Sequence, residues 1–198
     1  MHAMNIGLMT RKRYSGTLSL FFLFFLATIA ITPLIGSTQI NLGKAFSNEL
    51  AFSDNVDANI LFLARVPRIF LAALTGAALS VAGAVFQSLL RNDLAAPFTL
   101  GVSSGAALGA VIAMSLGLHY TVAGIPTVPI AAFLGALGAI TLVFSLARTR
   151  TGEFPTTVLL LAGVTANFFF AALVMLIHYL SDFTQSFRIV RWLMGGLD

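Results

Sequence analysis

The sequence predicts an all-α fold, a polytopic transmembrane helical bundle with about five spans. Of the 198 residues, 58% are hydrophobic and only 9% are charged, and the mean hydropathy is +0.95. A soluble domain carries roughly 25% charged residues, so water cannot cover this chain. In addition, five apolar stretches each approach the roughly 20 residues that cross about 30 Å of hydrocarbon. Lipid is therefore the predicted solvent.

The five predicted spans make up a single transmembrane domain over residues 1–198. They lie at residues 17–35, 66–90, 98–118, 128–147 and 156–180. The first span follows the basic residues 11–13, an order that also describes a signal peptide. A cleaved signal has a shorter apolar region that ends at a small-residue site, whereas this one continues through Pro33 and is followed by further spans. We therefore expect an uncleaved first helix.

Basic residues near the span ends predict the orientation. Lys and Arg concentrate on the cytoplasmic side of membrane proteins, so residues 11–13 favour a cytoplasmic N-terminus. Arg91, Arg148 and Arg150 then fall on the same side. The basic residues expected outside are Lys44, Arg65, Arg68, Arg188 and Arg191. The excess of basic residues on the cytoplasmic side is small. The arginines expected outside therefore require their own explanation.

Several site classes are disfavoured by composition. The net charge of +4 is spread between apolar runs, so no nucleic-acid partner is predicted. The absence of cysteine excludes disulfides, thiolate catalysis and Cys-ligated metals. His178 has no His, Asp or Glu at ligand spacing, so we interpret it as an interfacial side chain and predict no metal site.

Small residues spaced by four mark two of the predicted spans. Gly101, Gly105 and Gly109 share one face of the third, and residues 131, 135 and 139 form a similar row in the fourth. Gly76 and Gly83 lie one heptad apart in the second. Such rows let helix backbones approach closely in lipid. Helix packing and the lining of a translocation path both remain open for these rows.

Polar side chains within the predicted spans also have two interpretations. Gln87 and Asn92 lie near the cytoplasmic end of the second span, and Asn167 lies in the fifth. Amides in membranes either join helices or line a path. Ser103 and Ser104, near the start of the third span, either line a path or bond back to backbone carbonyls.

The region from Arg65 to Gly109 reads RVPRIFLAALTGAALSVAGAVFQSLLRNDLAAPFTLGVSSGAALG. It resembles the FecCD-type permeases, which are BtuC-like subunits of bacterial ABC importers for iron-siderophores, haem or vitamin B12. The matching residues are Arg65, Pro67, Arg68, Gly76 to Leu79, Gly83, Gln87, Arg91, Asn92, Leu94, Ala95, Pro97, Leu100 to Val102, Gly105 and Ala106. Two more fits are LLAGV at 160–164 and RWLMGG at 191–196.

The resemblance implies a permease subunit that moves an iron(III)-siderophore-type chelate across the cytoplasmic membrane by alternating access, with haem or cobalamin as alternatives. It implies a second permease subunit, two ATPase subunits that hold ATP and magnesium, and an extracytoplasmic binding protein. It also implies that Arg65 and Arg68 dock glutamates of that binding protein, the alternative being snorkelling to lipid headgroups. No cofactor and no enzymatic activity are expected in this chain.

Two departures from the family pattern stand out. Asp93 replaces the proline of the cytoplasmic turn, although Asp also suits turns and helix N-caps. Family members have about ten spans, so this chain resembles the N-terminal half only, and the segment that engages the ATPase is expected beyond Asp198. If 198 residues are the whole gene product, a truncated permease is the expectation.

Two other function classes are weighed against transport. The segment from Gly101 to Gly105 resembles a serine-protease nucleophile motif, with His178 as the base. Alternating spans separate Ser104 and His178 by roughly 24 Å in depth, which excludes direct proton transfer. A non-transporting scaffold fits the composition but not the motifs. ATP hydrolysis is excluded because Gly43-Lys44 is followed by Ala45 and lacks the upstream glycine of a P-loop.

Overall fold

The computed structural model describes residues 11–36, 38–47, 54–93, 96–118, 120–122, 124–148 and 155–196. The long α-helices are α1 (Arg11–Ile31), α4 (Val66–Leu90), α5 (Val102–Ser115), α6 (Thr127–Ala147), α7 (Thr156–Leu180) and α8 (Phe183–Leu193), and α2 (Leu42–Ala45) and α3 (Val56–Asn59) are single turns. A short hairpin pairs β1 (Thr121–Val122) with β2 (Ile125–Pro126). The predicted all-α class is confirmed.

Among the described residues, four helical segments are long and apolar enough to cross a membrane: Arg11–Leu34, Val56–Leu90, Thr127–Ala147 and Thr156–Leu180. They correspond to the first, second, fourth and fifth predicted spans. The second extends further upstream than predicted, because α3 continues into α4 through a π-helix at Ile60–Arg65. The structure therefore describes residues 56–65 as helix, upstream of residue 66, where the second span was predicted to begin.

The third predicted span, residues 98–118, is divided into two parts. Pro97–Leu100 forms a 3₁₀ turn, and α5 begins only at Val102. Gly101 between them has φ +79°, a left-handed conformation that glycine adopts without steric cost and that interrupts the helix. The 14 residues of α5 rise about 21 Å, less than the hydrocarbon thickness, so α5 is the short apolar helix of the bundle.

Helix α8 lies after the fifth predicted span, where the sequence predicted no further span. The Asp182 carboxylate accepts a hydrogen bond from the Gln185 backbone N–H at 2.7 Å, which caps its N-terminus. Ile189 is fully buried against α5, whereas Phe183 and Phe187 on another face are exposed. Its sequence FTQSFRIVRWL mixes polar and charged residues with apolar ones, which distinguishes α8 from the uniformly apolar spans.

The structure divides into two compact units, with the boundary between Thr75 and Gly76. In the first unit, α1 has no buried residue. In the second, α5, α6 and α7 pack together around buried aliphatic side chains. Among these are Leu100, Val143 and Leu159 in one cluster and Val111, Met114 and Ile189 in another. The single transmembrane domain over residues 1–198 stays a prediction.

Candidate functional site

The glycine rows of α5 and α6 pack directly against each other. A Cβ built on Gly105 would lie 2.8 Å from the Gly135 carbonyl oxygen and still closer to the Ala139 Cβ. A Cβ on Gly109 would collide with the Ala131 carbonyl group, and one on Gly135 would collide with the Gly105 oxygen. Real Cβ atoms do not tolerate such distances. The small residues therefore set how closely α5 and α6 approach. This contact is the one that the helix-packing interpretation of the two rows predicts.

A second backbone contact joins α7 to the 3₁₀ turn before α5. A Cβ on Gly163 would overlap the Thr99 carbonyl oxygen and lie 2.9 Å from the Leu100 Cα. Gly101, at the end of this turn, faces α7. A Cβ on Gly101 would lie 3.5 Å from the Ala166 Cβ and 3.7 Å from the Gly163 oxygen. Glycine is needed at 163 for close approach and at 101 for its backbone angle.

Ser104 and Asn167, 63 residues apart, meet in one polar contact. The Ser104 hydroxyl lies 2.6 Å from the Asn167 Oδ1 and 3.1 Å from the Gly101 carbonyl oxygen. The Asn167 Nδ2 donates to the Phe98 carbonyl oxygen at 3.0 Å. The asparagine thereby connects α7 both to α5 and to the 3₁₀ turn. The contact fits the joining role that intramembrane amides often have.

Gln87 and Asn92 lie together at the C-terminal end of α4. Arg91 adopts φ 47°, and the Asn92 N–H donates to the Gln87 carbonyl oxygen at 3.2 Å. The Arg91 N–H donates to the Ser88 oxygen at 3.4 Å, which completes a Schellman cap. The Gln87 side-chain amide donates to the Asp93 carbonyl oxygen at 3.2 Å. These groups terminate the helix, and the turn containing Asp93 begins from this cap.

The small residues of α4 are placed differently from those of α5. A Cβ on Gly76 or on Gly83 would meet no atom within 4 Å in the part of the chain that the structure describes. Ser103 is also exposed, unlike the half-buried Ser104 beside it. Gly76, Gly83 and Ser103 therefore have open surroundings, while Gly105, Ser104 and Asn167 are occupied in helix packing.

Arg65 and Arg68 line one cavity at the start of α4, with a volume of about 400 Å³. The Arg65 Nη1 donates to the Pro33 carbonyl oxygen at 2.6 Å, and its Nη2 donates to the Thr38 carbonyl oxygen. Arg68 lies three residues later and is exposed. None of the ten described residues that line this cavity is acidic. The two arginines thus give the lining of this cavity a positive charge.

His178 is not brought near Ser104. Ser104 uses Asn167 as its side-chain partner, and His178 lies 11 residues further along α7, about 16 Å away along the helix axis. Its Nε2 is buried without a hydrogen-bond partner in the described residues. Within those residues no group of three His, Cys, Asp or Glu could hold a metal ion. The arrangement offers no nucleophile and base pair.

Comparison with known proteins identifies the family. The model of the FecCD transport family matches residues 20–198. The chain belongs to this family. The resemblance seen in the Arg65 to Gly109 motif is therefore confirmed, and the matched region extends from α1 to the last residue.

Relatives of the FecCD chain include named ABC transporter permeases. It is 42% identical to the permease protein YvrB of Bacillus subtilis over 166 residues, covering 84% of this chain and 47% of YvrB. It is 36% identical to the hemin transport system permease HmuU of Yersinia pestis over 177 residues, covering 87% of this chain and 52% of HmuU. Other relatives are named for vitamin B12, molybdate and achromobactin transport.

The fold also matches a solved structure. An ABC transporter assigned to the metal-chelate type, in an inward-facing conformation, superposes with a TM-score of 0.69 at 31% identity, covering 93% of this chain and 53% of the other. This FecCD chain spans about half the length of the relatives that it matches.

Sequence reasoning missed three parts of this site. The contact of Gly163 with the 3₁₀ turn was not predicted, although LLAGV fits the family pattern. The contact of Gly36 with the Arg65 guanidinium, whose Nη2 would lie 2.7 Å from a Cβ on Gly36, was also missed, and no spacing rule would reveal it. Helix α8 had a usable signal, because Asp182 followed three residues later by Gln185 is a helix-start pattern.

Proposed function

We propose that this chain forms part of the membrane-spanning permease of an ABC importer, which carries an iron(III)-siderophore-type chelate across the bacterial cytoplasmic membrane by alternating access. The FecCD family match over residues 20–198 carries the proposal. The four membrane-length helices supply the spanning structure. No bond of the substrate changes, so the chain acts as a transporter subunit and not as an enzyme.

Energy for transport comes from other subunits in this proposal. The chain has no P-loop, so two ATPase subunits bind ATP and magnesium on the cytoplasmic side and drive the conformational change. A second permease subunit, identical or related, encloses the path together with this one. An extracytoplasmic binding protein delivers the chelate, and membrane lipid covers the remaining apolar surface.

The docking site for the binding protein is the cavity lined by Arg65 and Arg68. Arg68 is exposed on the wall of this cavity, and none of the described residues that line the cavity is acidic. Carboxylates on the binding protein are the proposed partners of its guanidinium group. Such charge pairs accelerate encounter and fix the orientation of the complex more than they add affinity.

Reversal of the Arg68 charge tests this function. The permease is assembled with its ATPase subunits and binding protein in lipid nanodiscs, and binding-protein affinity and chelate-stimulated ATP hydrolysis are measured. Arg68→Glu should weaken docking about tenfold or more at low ionic strength, while Lys44→Glu, at another exposed outer cation, should have little effect. A matching Glu→Arg change on the binding protein should partly restore docking. Unchanged docking by Arg68→Glu would leave headgroup contact as the better account.

The chelate class is tested separately. The relatives are named for hemin, vitamin B12, achromobactin and molybdate, so the family accommodates diverse cargo. Uptake into proteoliposomes should depend on a ferric siderophore, with hemin, cobalamin and molybdate as the comparison substrates. A preference for hemin or cobalamin would support the importer function but replace the siderophore chelate as its proposed substrate. Assembly without any ATP-dependent uptake would favour a scaffold.

The proposed orientation places the N-terminus in the cytoplasm. The chain has no cysteine, so single introduced thiols report topology without background. In intact cells, Lys44→Cys should react with an impermeant maleimide, whereas Arg148→Cys should react only after permeabilisation. The reverse labelling pattern would invert the topology and would place Arg65 and Arg68 on the wrong side for a binding protein.

A further inference from the structure

The third predicted span is broken at Gly101, between the 3₁₀ turn Pro97–Leu100 and α5. In a continuous α-helix the Phe98 carbonyl oxygen would accept a hydrogen bond from the N–H of the fourth residue after it. Gly101 has φ +79°, and the Phe98 oxygen accepts from the Gly101 N–H, only three residues later, at 3.1 Å. The turn and α5 are therefore separate segments that meet in one flexible residue.

The two sides of this break lie directly on different helices. A Cβ on Gly163 would overlap the Thr99 carbonyl oxygen, so the backbone of the turn lies against α7. A Cβ on Gly105 would lie 2.8 Å from the Gly135 carbonyl oxygen, so the backbone of α5 lies against α6. A tilt of α7 relative to α6 would therefore act on the chain at Gly101, where glycine permits more backbone conformations than any other residue.

The side chain of Asn167 bonds to both sides of the break. Its Nδ2 donates to the Phe98 carbonyl oxygen at 3.0 Å, before Gly101 in the chain. Its Oδ1 accepts from the Ser104 hydroxyl at 2.6 Å, after Gly101. An amide suits this bridge because one planar group carries both a donor and an acceptor. Asn167 thereby restricts the rotation that the glycine backbone permits.

We propose that Asn167 is a positioning residue that locks the joint at Gly101, so that the 3₁₀ turn, α5 and α7 move together during transport. Without this lock, rotation at Gly101 would absorb a movement of α7, and the movement would not reach α5. The transport part of the inference rests on the proposed function. The effect on the joint is independent of any substrate, so it can be tested in the absence of transport.

Hydrogen exchange at the joint tests the lock in the permease assembled with its ATPase subunits in nanodiscs, without chelate or ATP. The Gly101 N–H should exchange about tenfold faster in Asn167→Leu, an apolar variant of similar length that loses both bonds. Thr141→Val is the matched control, because the Thr141 hydroxyl bonds back to its own helix α6. It should leave the exchange rate unchanged. A wild-type rate in Asn167→Leu would overturn the proposal.

Ser104→Ala provides a milder variant that removes one side of the bridge and leaves the Asn167 bond to Phe98 in place. The Gly101 N–H should then exchange about threefold faster, a smaller effect than that of Asn167→Leu. The double variant should be accelerated by less than the product of the two single effects, because Ser104 acts on the joint through Asn167. Fully multiplicative acceleration would show that the two residues act separately and would overturn the proposal.

The number of chelates moved per ATP hydrolysed tests the role of the lock in transport. Asn167→Leu should lower this ratio, while the chelate concentration that gives half-maximal uptake stays at the wild-type value. A loss of folded protein would lower uptake and hydrolysis together and leave the ratio unchanged. An unchanged ratio in Asn167→Leu would overturn the role in transport. If the wild-type permease moves no chelate, the proposed function fails, and the exchange result still decides whether Asn167 locks the joint.

Discussion

The glycines of α5 and those of α4 both recur at helical spacing, every four and every seven residues, but have opposite surroundings. Gly105 and Gly109 are packed so tightly against α6 that no Cβ fits. A Cβ on Gly76 or Gly83 would have no described atom within 4 Å. A small residue at helical spacing is thus compatible both with a closed backbone contact and with an open face. The difference lies in the facing helix, because α6 presents its own small residues to α5.

The largest effect is expected from a bulky residue in the closed row. Gly105→Leu places a side chain where Gly135 and Ala139 leave no room, so α5 and α6 must separate. Overpacking costs about 1–3 kcal/mol and more when backbone is the obstacle. Unfolding in mixed detergent micelles should show at least this loss, together with reduced assembly. Normal stability and uptake of a well-inserted variant would mean that the row faces lipid or open space.

A smaller effect is expected at the polar contact that depends on the same packing. Asn167→Ala removes the partners of the Ser104 hydroxyl and the Phe98 carbonyl group. Interhelical hydrogen bonds in membranes are worth about 0.6–1.7 kcal/mol, so unfolding free energy should fall by that order. A double-mutant cycle with Ser104→Ala should give a favourable coupling energy. The cycle with Ser103→Ala should give none, and coupling to Ser103 would contradict the geometry.

The smallest effect is expected at the C-terminal end of α4, the helix whose glycines have no described neighbour. Arg91 adopts a left-handed conformation that glycine favours in a C-terminal cap. Arg91→Gly should therefore raise the unfolding free energy by about 0.5–1 kcal/mol, because the cost of the left-handed conformation disappears and exceeds the entropy cost of glycine. Arg91→Val should lower it, because a β-branched residue tolerates this conformation poorly. Destabilisation by glycine would show that the arginine side chain matters more than the cap.

The sequence predicted the apolar elements well because hydropathy reports them locally. Residues 66–90 and 156–180 were predicted as spans, and α4 and α7 occupy those ranges. The closed row of α5 and α6 was visible as a spacing, although the spacing alone did not separate packing from path lining. Gly76 and Gly83 show why, since two glycines that also share one helix face meet no described atom within 4 Å.

The features that the sequence did not predict depend on contacts between distant residues or on local backbone geometry. The pairing of Ser104 with Asn167 joins residues from different helices, and no periodicity predicts that meeting. The interruption at Gly101 depends on a left-handed backbone angle that an apolar stretch conceals. The bonds of Arg65 to Pro33 and Thr38 depend on a π-helix, which the motif did not reveal. The roles of these residues in transport stay predictions.

The most direct test of the difference between the two glycine environments is one substitution made in both. Gly105→Ala and Gly83→Ala each add a single methyl group to a helix. Alanine is favoured over glycine in helices by about 1 kcal/mol, so Gly83→Ala should leave the unfolding free energy unchanged or raise it. Gly105→Ala should lower it, because the methyl group meets Gly135 and Ala139. Opposite signs are the predicted result, and a change of the same sign in both variants would contradict it.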